Sequence, residues 1–257
     1  MDAGFDVIAL LLVAAAAAGW VDAVVGGGGL LMLPAMLVAF PGTPVAQILG
    51  TNKLTAIFGT SSAAFTYSRG LRLEPRIVWP TAGLALVGSG GGAALAASIS
   101  SDVLRPVVMV VLAAVLILVV ARPALGAAAD PALLTPNRVV AVVLLAGGGV
   151  AFYDGLIGPG TGTFLIIALT TIIGLDFVTA SASAKIINTA TNLGALAVFA
   201  WQGNVLWLLG LALGAANIVG AQVGARMALT RGAGFVRGVL VVVVVALLAR
   251  LAWDQFA

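Results

Sequence analysis

Apolar blocks of about 20 residues follow one another along nearly the whole chain, and glycine and proline rather than charge separate them. Among 257 residues there are 12 Lys and Arg and 9 Asp and Glu, 8% in all, where a soluble domain carries about 25%. Mean hydropathy is +1.20. So few charges cannot dress a water-soluble surface, which excludes an ordinary globular fold. The length allows roughly ten crossings of ~20 residues with short loops, and no room for a separate soluble domain. The formal charge of +3 comes without a dense basic cluster, so the expected partner is the lipid bilayer and not nucleic acid. Cysteine and histidine are both absent, which removes disulfides, thiolate nucleophiles, imidazole ligands and histidine-based triads. No motif asks for a metal or a cofactor. Residues 1–25 do not read as a signal peptide, because Asp2 and Asp6 stand where basic residues belong and the apolar stretch is long enough to span.

The blocks predict an all-α polytopic membrane protein. Phe5–Val25 forms a first helix, ended by Gly26-Gly27-Gly28-Gly29. Leu30–Phe40 is too short for a full span. Thr43 and Pro44 then start a helix to Ser68, as N-cap and first helical residue. Ile77–Ser98 and Val103–Val120 complete a first repeat over 1–125, and 126–136 is a linker. A second repeat over 137–257 has the same plan: Asn137–Phe152, a break at Gly158-Pro159-Gly160-Thr161-Gly162, a short Thr163–Ile173, then Phe177–Ala200, Val205–Met227 and Phe235–Trp253.

A constant offset of 132 relates the two halves: Asp22 to Asp154, Gly26 to Gly158, Gly28 to Gly160, Lys53 to Lys185, Arg105 to Arg237. Matches among scarce charged residues, without a gap, point to an internal repeat. Basic residues mark cytoplasmic loops. Loop 69–76 carries Arg69, Arg72 and Arg76, while its counterpart Trp201–Leu208 has no charge; Arg226, Arg231 and Arg237 reverse the bias at the next loop. This favours inverted, pseudo-symmetric repeats, each with four long helices and one short broken helix. Eleven helical residues rise ~16 Å and four extended glycines add ~13 Å, so a broken segment can cross. The alternative is a re-entrant hairpin, with eight spans in parallel halves.

Lys53 and Lys185 lie about nine residues into their helices, near mid-membrane, where a cation costs ~2.5–3.5 kcal/mol and faces a cavity or a partner. One reading is an anion site with one lysine from each half. The other is a structural ion pair within each half, Lys53 with Asp22 and Lys185 with Asp154. Thr51 and Asn52 precede Lys53, and Asn188 and Asn192 share a helix face with Lys185. Such amide and hydroxyl donors suit a small oxyanion, though small polar groups also join helices within membranes. Gly26, Gly27, Gly28 and Gly29, with Gly158, Gly160, Thr161 and Gly162, complete the candidate site. Their backbone amides stand at helix starts, and paired broken segments in two repeats point to a transporter binding site. No catalytic residue and no enzyme activity is expected.

The run Trp20-Val-Asp22-Ala-Val-Val-Gly26-Gly-Gly-Gly29-Leu-Leu-Met-Leu-Pro34, followed by Gly50-Thr51-Asn52-Lys53, resembles the first-half signature of the sulfite exporter TauE/SafE family, also called the toluene sulfonate uptake permease family. Phe152-Tyr-Asp154-Gly-Leu-Ile-Gly158-Pro-Gly160-Thr-Gly162-Thr-Phe and Ala182-Ser-Ala-Lys185-Ile-Ile-Asn188-Thr-Ala-Thr-Asn192 resemble the second. The resemblance implies a multi-pass carrier in the bacterial inner membrane for sulfite, organosulfonates or related small anions.

Two rival classes can be weighed. An intramembrane aspartyl protease would need a GxGD motif, and Gly174-Leu175-Asp176 lacks the second glycine. A passive anion channel could use the same lysines and glycines. A carrier needs an energy source, and no P-loop is present, so the expectation is secondary transport with protons. Asp22 and Asp154 are the candidate proton carriers, against the alternative that each only caps or pins a helix. Inverted repeats with both termini outside predict that Arg72→Cys and Gly203→Cys react with impermeant thiol reagents from opposite membrane faces. Labelling of both from one face would contradict the inversion.

Overall fold

The computed structural model describes residues 4–121 and 129–256, and every regular element among them is helical. The first half holds α1 (Phe5–Val25), α2 (Gly28–Ala39), α3 (Val45–Ser68), α4 (Pro75–Ser98) and α5 (Ser101–Ala121). A 3-10 turn at Pro131–Leu133 leads to α6 (Pro136–Val142), a π-helical segment Val143–Val150, α7 (Ala151–Leu156), α8 (Thr161–Ile173), α9 (Phe177–Trp201) and α10 (Trp207–Phe256). The boundary expected at 125–126 lies outside the described residues.

Most expected helices are present within a few residues, and the differences have local causes. Thr43 does not cap α3: Pro44 holds the cap position, and the free Val45 N–H donates instead to Ser101 Oγ of α5 at 3.1 Å. The expected Asn137–Phe152 helix extends to Leu156 and widens into π-turns over Val143–Val150, where three glycines allow looser winding. Val205–Met227 and Phe235–Trp253 are not separate. They run on as α10, because only isolated glycines at 232 and 234, and no proline, stand between them. Fifty residues rise about 75 Å, far beyond a ~30 Å hydrocarbon core.

Four segments among the described residues are long and apolar enough to cross a membrane: Phe5–Val25, Pro75–Ser98, Pro136–Leu156 and Trp207–Arg231, with mean hydropathies of 2.2, 1.2, 1.9 and 1.6. Helices α3 and α9 have the length, at 24 and 25 residues, but are less apolar because they carry the lysines, asparagines and hydroxyls. They can afford this because they form the centre. α3 packs on α9, α10 flanks α3, and α4 flanks α9. Outside these, α1 lies on α10 and α7 with the π-segment lies on α4. Loops after the short helices are clamped by arginine: Arg105 donates to the Pro41 carbonyl at 2.9 Å, and Arg138 to the Ile172 carbonyl at 3.0 Å.

Helix backbones meet through glycine. A Cβ at Gly19 or Gly220 would strike the Asn217 or Ala16 carbonyl across the α1–α10 contact, and one at Gly194 would strike the Leu86 carbonyl across α4–α9. Water gives no hydrophobic drive between helices in lipid, so such close approach supplies the dispersion that holds them. Gly83, also in α4, has open space around its Cβ position. Alanine favours a helix by about 0.8–1.0 kcal/mol over glycine. Gly83→Ala should therefore leave the thermal midpoint of the purified protein unchanged or raise it, and Gly194→Ala should lower it by driving α4 and α9 apart.

Candidate functional site

Both helix breaks sit at the centre of the molecule, and both are tighter than the glycine runs suggest. Gly26 takes a left-handed conformation (φ 80°) and donates to the Asp22 carbonyl at 2.8 Å. The Asp22 carboxylate then accepts the Gly28 N–H at 3.4 Å, and α2 starts at once. The break is thus Gly26–Gly27 alone. Gly28 and Gly29 belong to the first turn of α2, which corrects the expectation of four extended glycines with unpaired amides. In the second half, Gly158 and Gly160 are left-handed (φ 93° and 77°), and Thr161 and Gly162 already open α8. The Thr161 hydroxyl and amide both donate to the Gly158 carbonyl. Tyr153 Oη holds this break by donating to the Pro159 carbonyl at 2.6 Å.

The two breaks touch. A Cβ on Gly26 would collide with the Gly162 backbone, and Thr163 Oγ1 donates across to the Val25 carbonyl at 2.9 Å. This contact carries each first-helix aspartate over the other half. Lys53 Nζ meets Asp154 Oδ2 at 2.7 Å, and Lys185 Nζ meets Asp22 Oδ2 at 2.8 Å. Pairing within each half, Lys53 with Asp22 and Lys185 with Asp154, is therefore corrected: the pairs cross between halves. Both lysines are buried, at 2% and 0% exposure. Leaving one partner of such a pair alone costs about 3–5 kcal/mol, so each pair ties one half to the other.

Between the pairs lies a cavity of about 30 Å³. Asp22, Asp154, Gly26, Gly29, Gly158, Thr161 and Gly162 line it from the breaks. Asn52 and Lys53 of α3, and Asn188 and Asn192 of α9, line it from the central helices. Lys185 reaches it through its Asp22 partner. Gly158 is required there twice over: its φ disfavours a side chain, and a Cβ would lie 2.7 Å from Lys53 Nζ. Asn192 Nδ2 approaches Thr60 Oγ1 at 3.5 Å, and these positions are themselves 132 apart.

Other expected site residues stand elsewhere. Thr51 Oγ1 donates to the Gln47 carbonyl and accepts the Leu206 N–H, which ties α3 to the start of α10. Gly27 and Gly160 lie at the breaks without lining this cavity, and Gly28 lines a neighbouring one. Sequence reasoning passed over Tyr67, Tyr153 and Thr163. Tyr67 Oη donates to the Ala23 carbonyl at 3.0 Å, so all three hydroxyls satisfy carbonyls freed by the breaks. Tyr67 and Thr163 stand among other hydroxyl residues and Tyr153 beside Asp154, so nothing in the sequence set them apart. Among the described residues no group of three carboxylates gathers to hold a metal ion.

The geometry is that of a small, polar, charge-balanced chamber between two halves: two lysine–aspartate pairs and the amides of Asn52, Asn188 and Asn192. Comparison with known proteins agrees with a transport role. A probable membrane transporter protein of a Sinorhizobium species is 38% identical over 98% of this chain and 95% of its own length. One from Haemophilus influenzae is 33% identical over 99% of this chain and 98% of its own. The probable membrane transporter protein YfcA of Escherichia coli is 36% identical over 42% of the chain and 40% of its own length. No solved structure matches. The family model described as sulfite exporter TauE/SafE matches residues 11–251, and the chain, a multi-pass helical membrane protein, belongs to that family.

Proposed function

We propose that this protein is a secondary transporter that moves a small sulfur-containing anion (sulfite, an organosulfonate or a related oxyanion) together with protons across the bacterial inner membrane. The crossed lysine–aspartate pairs around one cavity carry this reading. With both pairs formed, the chamber is neutral. An anion entering it would leave an uncompensated buried charge, which is expensive. Protonation of one aspartate frees its lysine and offsets the anion's charge, so entry of the anion and of a proton are linked. The ammonium then supplies charge-assisted hydrogen bonds to anion oxygens, and Asn52, Asn188 and Asn192 supply amide donors. Loss of the proton restores the pair and expels the anion. The bookkeeping is one proton per negative charge carried.

The two halves are read as inverted repeats that rock about this chamber. Element starts recur at or near the 132 offset, α1 with α6, α2 with α8, α3 with α9 and α4 with α10, and supporting contacts recur with them. A Cβ at Gly92 would meet the Phe152 carbonyl, and one at Gly224, 132 residues on, the Trp20 carbonyl.

Flux into proteoliposomes with sulfite and with an organosulfonate, with and without an imposed pH gradient, tests the reading. The gradient should drive accumulation of at least one of them. Uptake that ignores the gradient, and survives Asp22→Asn together with Asp154→Asn unchanged, would end proton coupling through these residues. Removing a whole pair avoids orphaning a buried charge. Lys185→Met with Asp22→Leu should therefore remain folded by thermal unfolding yet lose anion uptake. Normal transport by that variant would show that the pair is only structural.

A further inference from the structure

The two pairs are alike in length but not in surroundings. Asp154 is 3% exposed and Asp22 is 15% exposed. Asp22 lines the central chamber and also a second cavity of about 20 Å³, which adjoins the chamber at Gly29, Asn52 and Ala56. Asn52, Thr55 and Asn217 give this side pocket a polar wall beside Asp22, and Met32 closes it. At the related positions 132 residues away stand Ala184, Ile187 and Ala85, with Phe164 for Met32, so the second half carries no counterpart of this polar wall at those positions. A site needs roughly 10–15 Å³ and two to four polar partners to hold a water molecule, and the side pocket offers both. Asn52 is 6% exposed and its amide makes no hydrogen bond among the described residues, so a buried polar group faces the pocket without a protein partner.

We propose that the side pocket binds water and is the proton's entry to Asp22, so that the Lys185–Asp22 pair opens and closes while Lys53–Asp154 stays shut as a strut between halves. The assignment of the proton route rests on the coupled transport proposed above. The groups facing Asp22 are Lys185 from α9, Lys53 and Tyr67 from α3, and Asp154 from α7. The adjoining stretches of α2, α8 and α10 bring no charge. A proton arriving on Asp22 from the pocket water breaks the ion pair, and Asn52, which borders both cavities, can turn its amide to whichever side has lost its partner.

Hydroxyl-radical footprinting of the full chain in nanodiscs reads buried water directly, because methionine beside a bound water is oxidised. Met32 and Met36 lie on the same helix and are buried alike, at 2% and 0% exposure, but only Met32 lines the pocket. Met32 should be oxidised several-fold faster than Met36. Equal protection of both would overturn the proposal without any variant. Ala18→Val, which fills the pocket, and Thr55→Val, which dries it, should each slow Met32 oxidation and gradient-driven uptake by several-fold while anion binding at equilibrium persists. A variant that protects Met32 yet transports at the original rate would overturn the route. If uptake by the unaltered protein ignores the pH gradient, the coupling reading fails and the proton route with it. The Met32–Met36 contrast would be unaffected, so the two failures can be told apart.

Discussion

Two buried ion pairs that cross between the halves organise everything near the centre of this molecule. A lone lysine in an apolar interior costs several kcal/mol, and so does a lone aspartate. Each half carries one of each, and neither neutralises its own. The remaining architecture can be read as what is needed to bring four charges from four helices into reach of one another. The breaks let the end of α1 meet the start of α8. Glycine pairs let helix backbones touch, and tyrosine and threonine hydroxyls take up the carbonyls that the breaks release.

The same economy explains why α3 and α9 are the least apolar of the long helices. A helix facing lipid must be apolar on that side, whereas a helix surrounded by others answers only to them. Thr55, Thr60, Asn188, Asn192 and the two lysines are all buried, and their neighbours are helices rather than solvent. Polarity therefore rises toward the middle of the bundle. That gradient is the reverse of a soluble protein, and it gathers hydrogen-bonding capacity on α3 and α9.

Much of this was legible in the residues. The apolar blocks located most helices, and scarcity made Asp22, Lys53, Asp154 and Lys185 conspicuous. Their partners were not legible, because pairing depends on which break lies over which helix, and spacing along one half cannot report a contact between halves. Asn217 went unremarked in the sequence, and its place beside Asp22 follows only from how α10 crosses α1. The glycine runs announced breaks without fixing their extent. One carboxylate capping Gly28 shortened the first break to two residues, a side-chain effect that composition does not record. Likewise, isolated glycines between two apolar blocks looked like a boundary, and α10 runs through them.

The crossing of the pairs also bears on how the chain is made. Lys53 is 101 residues ahead of Asp154, and Asp22 is 163 residues ahead of Lys185. At about 5–20 residues per second, the ribosome leaves each early charge without its partner for roughly 5–30 s. During that interval the first half holds an unpaired lysine and an unpaired aspartate in or beside the bilayer. It has to keep them near the headgroups, in the translocation machinery or against each other until the second half arrives. Assembly then exchanges those provisional contacts for the final ones, so completion of the chain, rather than insertion of any one helix, sets the moment at which the bundle can close.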